Sequence, residues 1–99
     1  MPFPYTDLRT TKRRPALVVA GLPGNDVILC PITSQATRDP DAVLVVTRDF
    51  QQGSLQQDSY IRPTHLITAD EGLVLYRVGT LTTAKMTEVT NRLIQVLTR

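Results

Sequence analysis

The sequence predicts a small, mainly β domain with a single helix at its C-terminal end. Five or six short apolar segments are rich in β-branched residues, and glycine and proline clusters separate them closely. Only the last segment changes to a helical period. These three observations favour a strongly bent antiparallel barrel or sandwich that carries one terminal helix. At 99 residues and 41% hydrophobic content, we expect one domain spanning 1–99.

The net charge, the length of the apolar runs and the cysteine content exclude several classes of protein. The net charge is only +2, and its excess lies in the first half of the chain. The longest apolar run, Ala16–Ala20, is far shorter than the ~20 residues needed to cross a bilayer, so we expect a soluble, cytoplasmic protein with no membrane contact. With one cysteine and one histidine, the chain has no internal disulfide and no recognisable zinc site. We therefore expect no metal and no cofactor.

The first elements are a proline-rich start, a basic loop and a buried strand. Met1–Tyr5 alternates apolar residues with prolines, which lack the N–H that a central strand needs, so we predict an edge or terminal piece of sheet. Thr6–Arg14 is predicted as a polar loop. Pro15 favours extended geometry for the residue before it. Ala16–Ala20 then reads as a strand buried on both faces, because it has no polar alternation.

A hairpin and two further strands follow. Two glycines, a proline and an asparagine within Gly21–Asn25 indicate a tight turn, with Asp26–Ile32 as the second strand of the hairpin. Pro31 suggests a bulge or an edge near the end of that strand. A polar loop then leads to a third β-branched strand, Ala42–Thr47, and Asp49–Asp58 is predicted as a surface loop.

The central part of the chain is predicted to be extended. Ser59–Ile61 and His65–Thr68 are short extended pieces, and Pro63 between them prevents a helix from running through both. Leu73–Val78 is predicted as a further strand, bounded on both sides by glycine.

The last segment is predicted to be a helix over Thr83–Leu97. Thr82 suits the N-cap, and Leu81 with Met86 suits a hydrophobic staple. One face of this helix would pack on the sheet through Met86, Val89, Leu93, Val96 and Leu97.

Two groups near strand ends could bind a phosphate. Arg14 has a planar guanidinium at the foot of a buried strand, which suits phosphate better than lysine does, although a salt bridge to a nearby aspartate is the alternative. Thr33 and Ser34 end the second hairpin strand, where a hydroxyl can bond a phosphate oxygen or donate a proton. Their alternative role is to cap the backbone of their own turn.

A second cation lies near Pro63. Arg62 and Thr64 flank the proline, so their side chains should point to the same side of an extended backbone, although an exposed strand end is the alternative. By the same alternation His65 points away, which favours a structural or surface role over acid–base catalysis.

The remaining candidates are simpler to interpret. Cys30 fits a small core residue. Phe3 and Tyr5 could stack on unpaired bases or could belong to the core. Three cations of the basic loop either gather polyphosphate loosely or are plain solvated residues; they are Arg9, Lys12 and Arg13.

Five sequence blocks in this order resemble the MazF/PemK family of toxins from bacterial toxin–antitoxin systems. They are Phe3-Pro4-Tyr5-Thr6-Asp7, Lys12-Arg13-Arg14-Pro15-Ala16-Leu17-Val18-Val19, Pro31-Ile32-Thr33-Ser34, Ile61-Arg62-Pro63-Thr64-His65-Leu66-Ile67-Thr68-Ala69-Asp70 and Val78-Gly79-Thr80-Leu81. The resemblance covers nearly the whole chain. It implies an SH3-like barrel with a C-terminal helix, a two-fold homodimer, and a small cognate antitoxin as partner, with DNA reached only through the antitoxin complex.

The resemblance also implies an activity and a site. Members of the family are metal-independent endoribonucleases that cut single-stranded RNA to 2′,3′-cyclic phosphate and 5′-hydroxyl ends. Arg14 and Thr33 match the proposed catalytic pair, and Arg62 matches a second family arginine. The substrate would be contacted by Arg9, Lys12, Arg13, Ser34 and Thr64.

This chain departs from the family pattern at two places. Some members have an aspartate, proposed as the general base, where this chain has Thr64. The first strand is also shorter than usual, so we expect either a start upstream of Met1 or a shortened edge. A non-catalytic member that binds RNA, antitoxin or a protein target such as gyrase is the alternative. Gyrase-directed CcdB relatives often end in aromatic residues, whereas this helix ends in Val96-Leu97-Thr98-Arg99.

Overall fold

The computed structural model describes residues 4–8, 14–35 and 38–99. These residues form eight strands and one C-terminal α-helix, and short 3₁₀ turns lie at Thr47–Asp49, Pro63–His65 and Glu71–Leu73. The strands and helix are β1 (Pro4–Leu8), β2 (Pro15–Gly21), β3 (Asp26–Thr33), β4 (Val43–Val45), β5 (Phe50–Gly53), β6 (Ser59–Ile61), β7 (Ile67–Asp70), β8 (Val74–Leu81) and α1 (Thr83–Leu97).

The strands form one antiparallel sheet in the order β4-β6-β3-β2-β1-β8-β5, and β7 pairs with β3 outside this path. β4 is the first strand of the path and β8 the sixth, yet both contribute to the same core under α1. The sheet therefore curls around that core, although the described pairings leave β4 and β5 as open ends. The main core consists of Leu17, Cys30, Ile32, Val43, Val45, Ile61, Leu81, Met86 and Val89. This confirms the predicted mainly β fold with a terminal helix.

Strand β2 is buried on both faces, as predicted. Leu17 faces the main core, whereas Ala16 and Val18 pack with Leu29 in a second, smaller cluster. The hairpin to β3 is also confirmed, with Gly24 at a φ of 81° in its turn. The register of β2 and β3 shifts at Val19, between the pairs Val18↔Leu29 and Ala20↔Ile28, and it does not shift at Pro31, where the sequence suggested a bulge or an edge.

The prediction of an edge position for the first strand is wrong. β1 lies between β2 and β8, and Tyr5 pairs with both Leu17 and Gly79. Its proline, Pro4, is the first residue of the strand, where a missing N–H costs little. The strand also continues to Leu8, into the segment predicted as loop.

The prediction of a loop over Asp49–Asp58 is wrong in its first half, which forms β5. Its partner β8 runs through Gly79 to Leu81 and does not stop at Val78. The two strands approach so closely that a Cβ atom on Gly79 would lie only 2.5 Å from the carbonyl oxygen of Gln52. Gly53, at a φ of 74°, pairs with Gly79.

The structure corrects the geometry around Pro63. Arg62 is followed by a 3₁₀ turn over Pro63–His65 and not by an extended segment. Proline fits the first position of such a turn. A backbone N–H there would have no hydrogen-bond partner within the turn, so its absence costs little. The strand predicted at His65–Thr68 accordingly begins later, at Ile67, and ends at Asp70.

Helix α1 has the predicted bounds, Thr83–Leu97, and the predicted N-cap. The Thr82 Oγ1 atom accepts a hydrogen bond from the Lys85 backbone N–H at 3.2 Å. Met86 and Val89 are buried as predicted, but Leu97 is 73% exposed, so the packed stripe ends before it. Among the described residues, no helix is both long and apolar enough to span a membrane.

Candidate functional site

The predicted catalytic residues lie at one end of three neighbouring strands. β2 pairs with β3 through Ala16↔Pro31, and this register, continued by two residues, brings Arg14 level with Thr33. On the other side of β3, the Arg62 backbone N–H donates to the Pro31 carbonyl oxygen at 2.9 Å. The sheet therefore brings two arginines and a threonine to the same edge of its surface.

These residues also lie on one face of the sheet. Ile32 of β3 and Ile61 of β6 point into the main core. Because successive side chains of a strand alternate between faces, Thr33 and Arg62 follow on the opposite face. Counting back from Leu17, which also faces the core, places Arg14 there too. A ligand could approach all three without disturbing the core.

Arg14 is exposed immediately before β2, where Pro15 begins the strand. No hydrogen bond or ion pair joins it to a residue whose side chain the structure describes. The alternative of a salt bridge to a nearby aspartate is therefore not observed within that part of the chain. The guanidinium donors of Arg14 can accordingly bind an anion from solvent.

The hydroxyl of Thr33 caps its own turn. Its Oγ1 atom accepts a hydrogen bond from the Gln35 backbone N–H at 3.2 Å, which is the alternative role considered for this residue. A hydroxyl that accepts one bond can still donate its hydrogen to another acceptor. Thr33 is half-buried, and Ser34 beside it is exposed. Capping therefore fixes the oxygen and leaves its hydrogen available.

Arg62 and Thr64 converge on Asp39, although the backbone between them is a turn and not an extended strand. The Arg62 Nε atom lies 3.6 Å from the Asp39 Oδ2 atom. The Thr64 hydroxyl donates to the same oxygen at 3.1 Å. The two residues flanking Pro63 thus share one carboxylate from the loop between β3 and β4.

Local hydrogen bonds keep Asp39 ionised. The Asp41 backbone N–H donates to its Oδ1 atom at 2.9 Å. This bond is the largest cause that lowers the pKa of Asp39 below its usual range, and the Thr64 hydroxyl and the Arg62 charge act in the same direction, against the effect of burial. A negative charge therefore lies beside one of the two site arginines at neutral pH.

Two neighbours of the site were missed by sequence reasoning. Asp39 contacts residues about two dozen positions away, and no local pattern signals such a contact. Tyr60 pairs directly with Thr33 across β3 and β6, and it is half-buried. Tyr60 and Arg62 are two residues apart in an extended segment, and residues at this spacing lie on the same face of a strand. The sequence could therefore have predicted that both lie on one face of the sheet.

Other candidates lie elsewhere or outside the described part of the chain. His65 is exposed in the 3₁₀ turn, and Cys30 is fully buried in the main core. Phe3 and three predicted substrate contacts lie outside the described residues; the three are Arg9, Lys12 and Arg13. The described residues contain no group of three or more histidine, cysteine or acidic side chains that could hold a metal ion.

Comparison with known proteins identifies a family. A family model described as PemK-like, MazF-like toxin of type II toxin-antitoxin system matches residues 1–97. A comparison by sequence with curated proteins returns no match. The chain is similar in structure to the Mycobacterium tuberculosis toxin MazF-mt6, with a TM-score of 0.79, 18% identity and 96% of each chain covered.

Two further similar structures contain partner chains. One is a MazE-MazF structure from Deinococcus radiodurans, with a TM-score of 0.76 and 22% identity over 95% of this chain and 90% of that one. The other is an endoribonuclease in complex with its cognate antitoxin from a mycobacterial species, with a TM-score of 0.73 and 19% identity over 98% and 89% of the two chains. At these identities the likeness establishes the fold.

Proposed function

Because the chain belongs to the PemK-like, MazF-like toxin family of type II toxin-antitoxin systems, we propose that it cleaves single-stranded RNA without a metal ion. The register that brings Arg14 level with Thr33, with Arg62 on the same face, carries this proposal. Two guanidinium groups and a hydroxyl on one exposed face suit a phosphodiester. Ser34 adds a hydroxyl beside them, and the Thr64 hydroxyl, which donates its hydrogen to Asp39, can contact RNA only as an acceptor.

The reaction uses the RNA's own 2′-hydroxyl as nucleophile. Its oxygen bonds to phosphorus, the bond from phosphorus to the 5′-oxygen breaks, and the products carry a 2′,3′-cyclic phosphate and a 5′-hydroxyl. One proton leaves the 2′-hydroxyl and one reaches the 5′-oxygen. Arg14 and Arg62 stabilise the extra negative charge of the transition state, and the Thr33 hydroxyl donates to a phosphate oxygen.

The proposal includes the assembly of the toxin. We expect a cytoplasmic two-fold homodimer that is inhibited when a small, partly disordered antitoxin covers the basic face. Antitoxin complexes are named for two of the similar structures. DNA would be reached only through the antitoxin. Light scattering should give twice the mass of the chain, and a monomer at micromolar concentration would contradict the dimer.

Substitution of Arg14 tests the cleavage directly. Arg14→Ala should lower the rate on an end-labelled single-stranded RNA by on the order of 100- to 1,000-fold, because it removes a charge that acts on the transition state. Arg48→Ala is the matched control, since Arg48 is exposed beyond the end of β4 that lies away from Arg62. Thermal melting should show that both variants are folded.

Three outcomes would decide against the proposal or part of it. Full activity of Arg14→Ala would remove that residue from the mechanism. Cleavage of an RNA with a single 2′-deoxy substitution at the cut site would exclude the 2′-hydroxyl as nucleophile. Intact RNA together with gyrase-dependent DNA breaks in cells would favour the non-catalytic alternative.

A further inference from the structure

Arg62 is held on one side and accessible on the other. Its Nε atom is buried and has no hydrogen-bond partner in the structure. At 3.6 Å, the Asp39 Oδ2 atom is close enough for charge attraction but too far for a hydrogen bond. The side chain as a whole is nevertheless 34% exposed. The exposed part of the Arg62 side chain is therefore not at Nε, so its other atoms can meet a ligand.

Asp39 is itself fixed, and this limits what it can do. Both of its carboxylate oxygens accept hydrogen bonds, one from the Asp41 backbone N–H and one from the Thr64 hydroxyl. Its side chain is only 10% exposed. A carboxylate with engaged oxygens and little solvent contact is poorly placed to take a proton from RNA. It is well placed to orient the groups around it.

We propose that Asp39 is a positioning residue for RNA cleavage, which holds Arg62 at the end of β6 for contact with the phosphate. The proposal rests on the function proposed above, in which Arg62 binds the phosphate. The attraction to Asp39 restricts the long Arg62 side chain before substrate arrives. A group restricted in this way contributes more to the rate than a mobile one.

The chain contains a matched control for this carboxylate. Asp49 also accepts a backbone N–H, from Val46 at 2.8 Å, and also lies 3.6 Å from a cation, the Lys85 Nζ atom. It follows β4 at the end that lies away from Arg62. Asp49→Ala therefore removes a similar set of contacts outside the site, and its cleavage rate per folded molecule should equal that of the wild type.

A double-mutant cycle tests the proposal. Asp39→Ala should lower kcat by on the order of 10- to 100-fold with little change in KM, because it displaces a group that acts on the transition state. Asp39→Asn, which keeps an acceptor for Thr64 but loses the charge, should fall between Asp39→Ala and wild type. In an Arg62→Ala background, Asp39→Ala should cause no further loss. Equal losses in both backgrounds would overturn the proposal.

A second measurement does not depend on cleavage. The NMR signal of the Arg62 Nε–H group should exchange slowly with solvent in the wild type and rapidly in Asp39→Ala. Unchanged exchange overturns the proposal even if the protein cuts RNA. If the wild type cuts no RNA while exchange depends on Asp39, the proposed function fails and the hold of Asp39 on Arg62 stands.

Discussion

Burial determines which side chains of β3 are available for chemistry, even where they lie close together in the strand. Thr33, at the end of the strand, keeps a hydroxyl at the surface, whereas Cys30 has no solvent exposure. Burial raises the pKa of the Cys30 thiol to about 12 from an ordinary value of 9.0. Cys30 therefore contributes to the core as an uncharged side chain and has no thiolate available for chemistry at neutral pH.

The Cys30 thiol should react only when the chain unfolds. At pH 8 a thiol-specific reagent should label it at the rate of global or local unfolding and not at the rate of a free thiol. Because its folded pKa lies above the unfolded value, the thiol's contribution to stability is complete below pH 9.0 and is lost as pH rises towards about 12. Cys30→Ala should remove this alkaline step. Rapid labelling of the native protein would contradict the assignment.

Residue types predicted part of the site. Arg14 and Thr33 could be named from sequence because each lies next to a recognisable buried strand. Asp39 could not, because the Arg62 and Thr64 contacts join positions that share no strand, helix or turn. Hydrogen bonds from side chains to distant carboxylates leave no periodic signal.

At the scale of elements, local patterns predicted α1 well and β5 poorly. The helix has its own cap at Thr82 and its own apolar stripe, so its bounds follow from neighbouring residues. β5 instead shows mostly exposed polar residues, and its strand conformation depends on backbone pairing with β8. That pairing requires glycine at position 79, which sequence alone suggested as a strand boundary.

Gly79→Ala should therefore destabilise the sheet. A Cβ atom would lie 2.5 Å from the Gln52 carbonyl oxygen and 3.1 Å from the Phe50 Cδ2 atom, so the backbone of β5 must move. The expected loss in unfolding free energy is about 1–3 kcal/mol, as for other overpacked sites. Urea denaturation measures it.

Gly21→Ala is the control for this substitution. Nothing lies within 4 Å of the Cβ atom that it would add, and no positive φ is present there. Its effect should be within about 1 kcal/mol and could be stabilising, through the reduced freedom of the unfolded chain. Equal effects of the two substitutions would show that β5 and β8 can separate without cost.

At the scale of the whole molecule, α1 holds parts of the sheet in place besides covering the core. The Lys85 ammonium donates to the Leu44 carbonyl oxygen of the end strand β4 at 2.9 Å. Further along the helix, Arg92 donates to the Pro40 carbonyl oxygen at 3.3 Å. The first bond connects the helix to β4, and the second connects it to the loop that carries Asp39.

A further connection, made by two hydrogen bonds, joins the end of the chain to the same loop. The Arg99 guanidinium donates two hydrogen bonds to the Asp41 carboxylate, at 3.0 and 2.6 Å. Asp41 is buried, and its backbone N–H binds Asp39. Such a link between distant segments leaves no local sequence pattern, which is why the position of this loop could not be predicted from sequence.

Removing Arg99 should loosen the loop and weaken the site indirectly. In Arg99→Gln the Asp41 carboxylate stays buried without its charged partner, so the melting temperature should fall. Asp41→Asn in the same chain removes the buried charge and should restore part of the loss. Arg92→Gln, which removes one longer bond to a carbonyl, should change less.

Measuring kcat of the same variant distinguishes the effect of loosening the loop from the effect of removing Asp39 itself. Arg99→Gln should lower kcat less than Asp39→Ala, because Asp39 keeps its bond from Thr64 when Asp41 loses its bonds from Arg99. Arg99 is largely exposed, so salt should screen its attraction to Asp41 and reduce the difference in melting temperature between wild type and variant. An unchanged melting temperature at low salt would mean that the loop is held without Arg99. In that case the position of Asp39 would depend on β3, β4, the turn after Arg62 and the bond from Arg92 to Pro40.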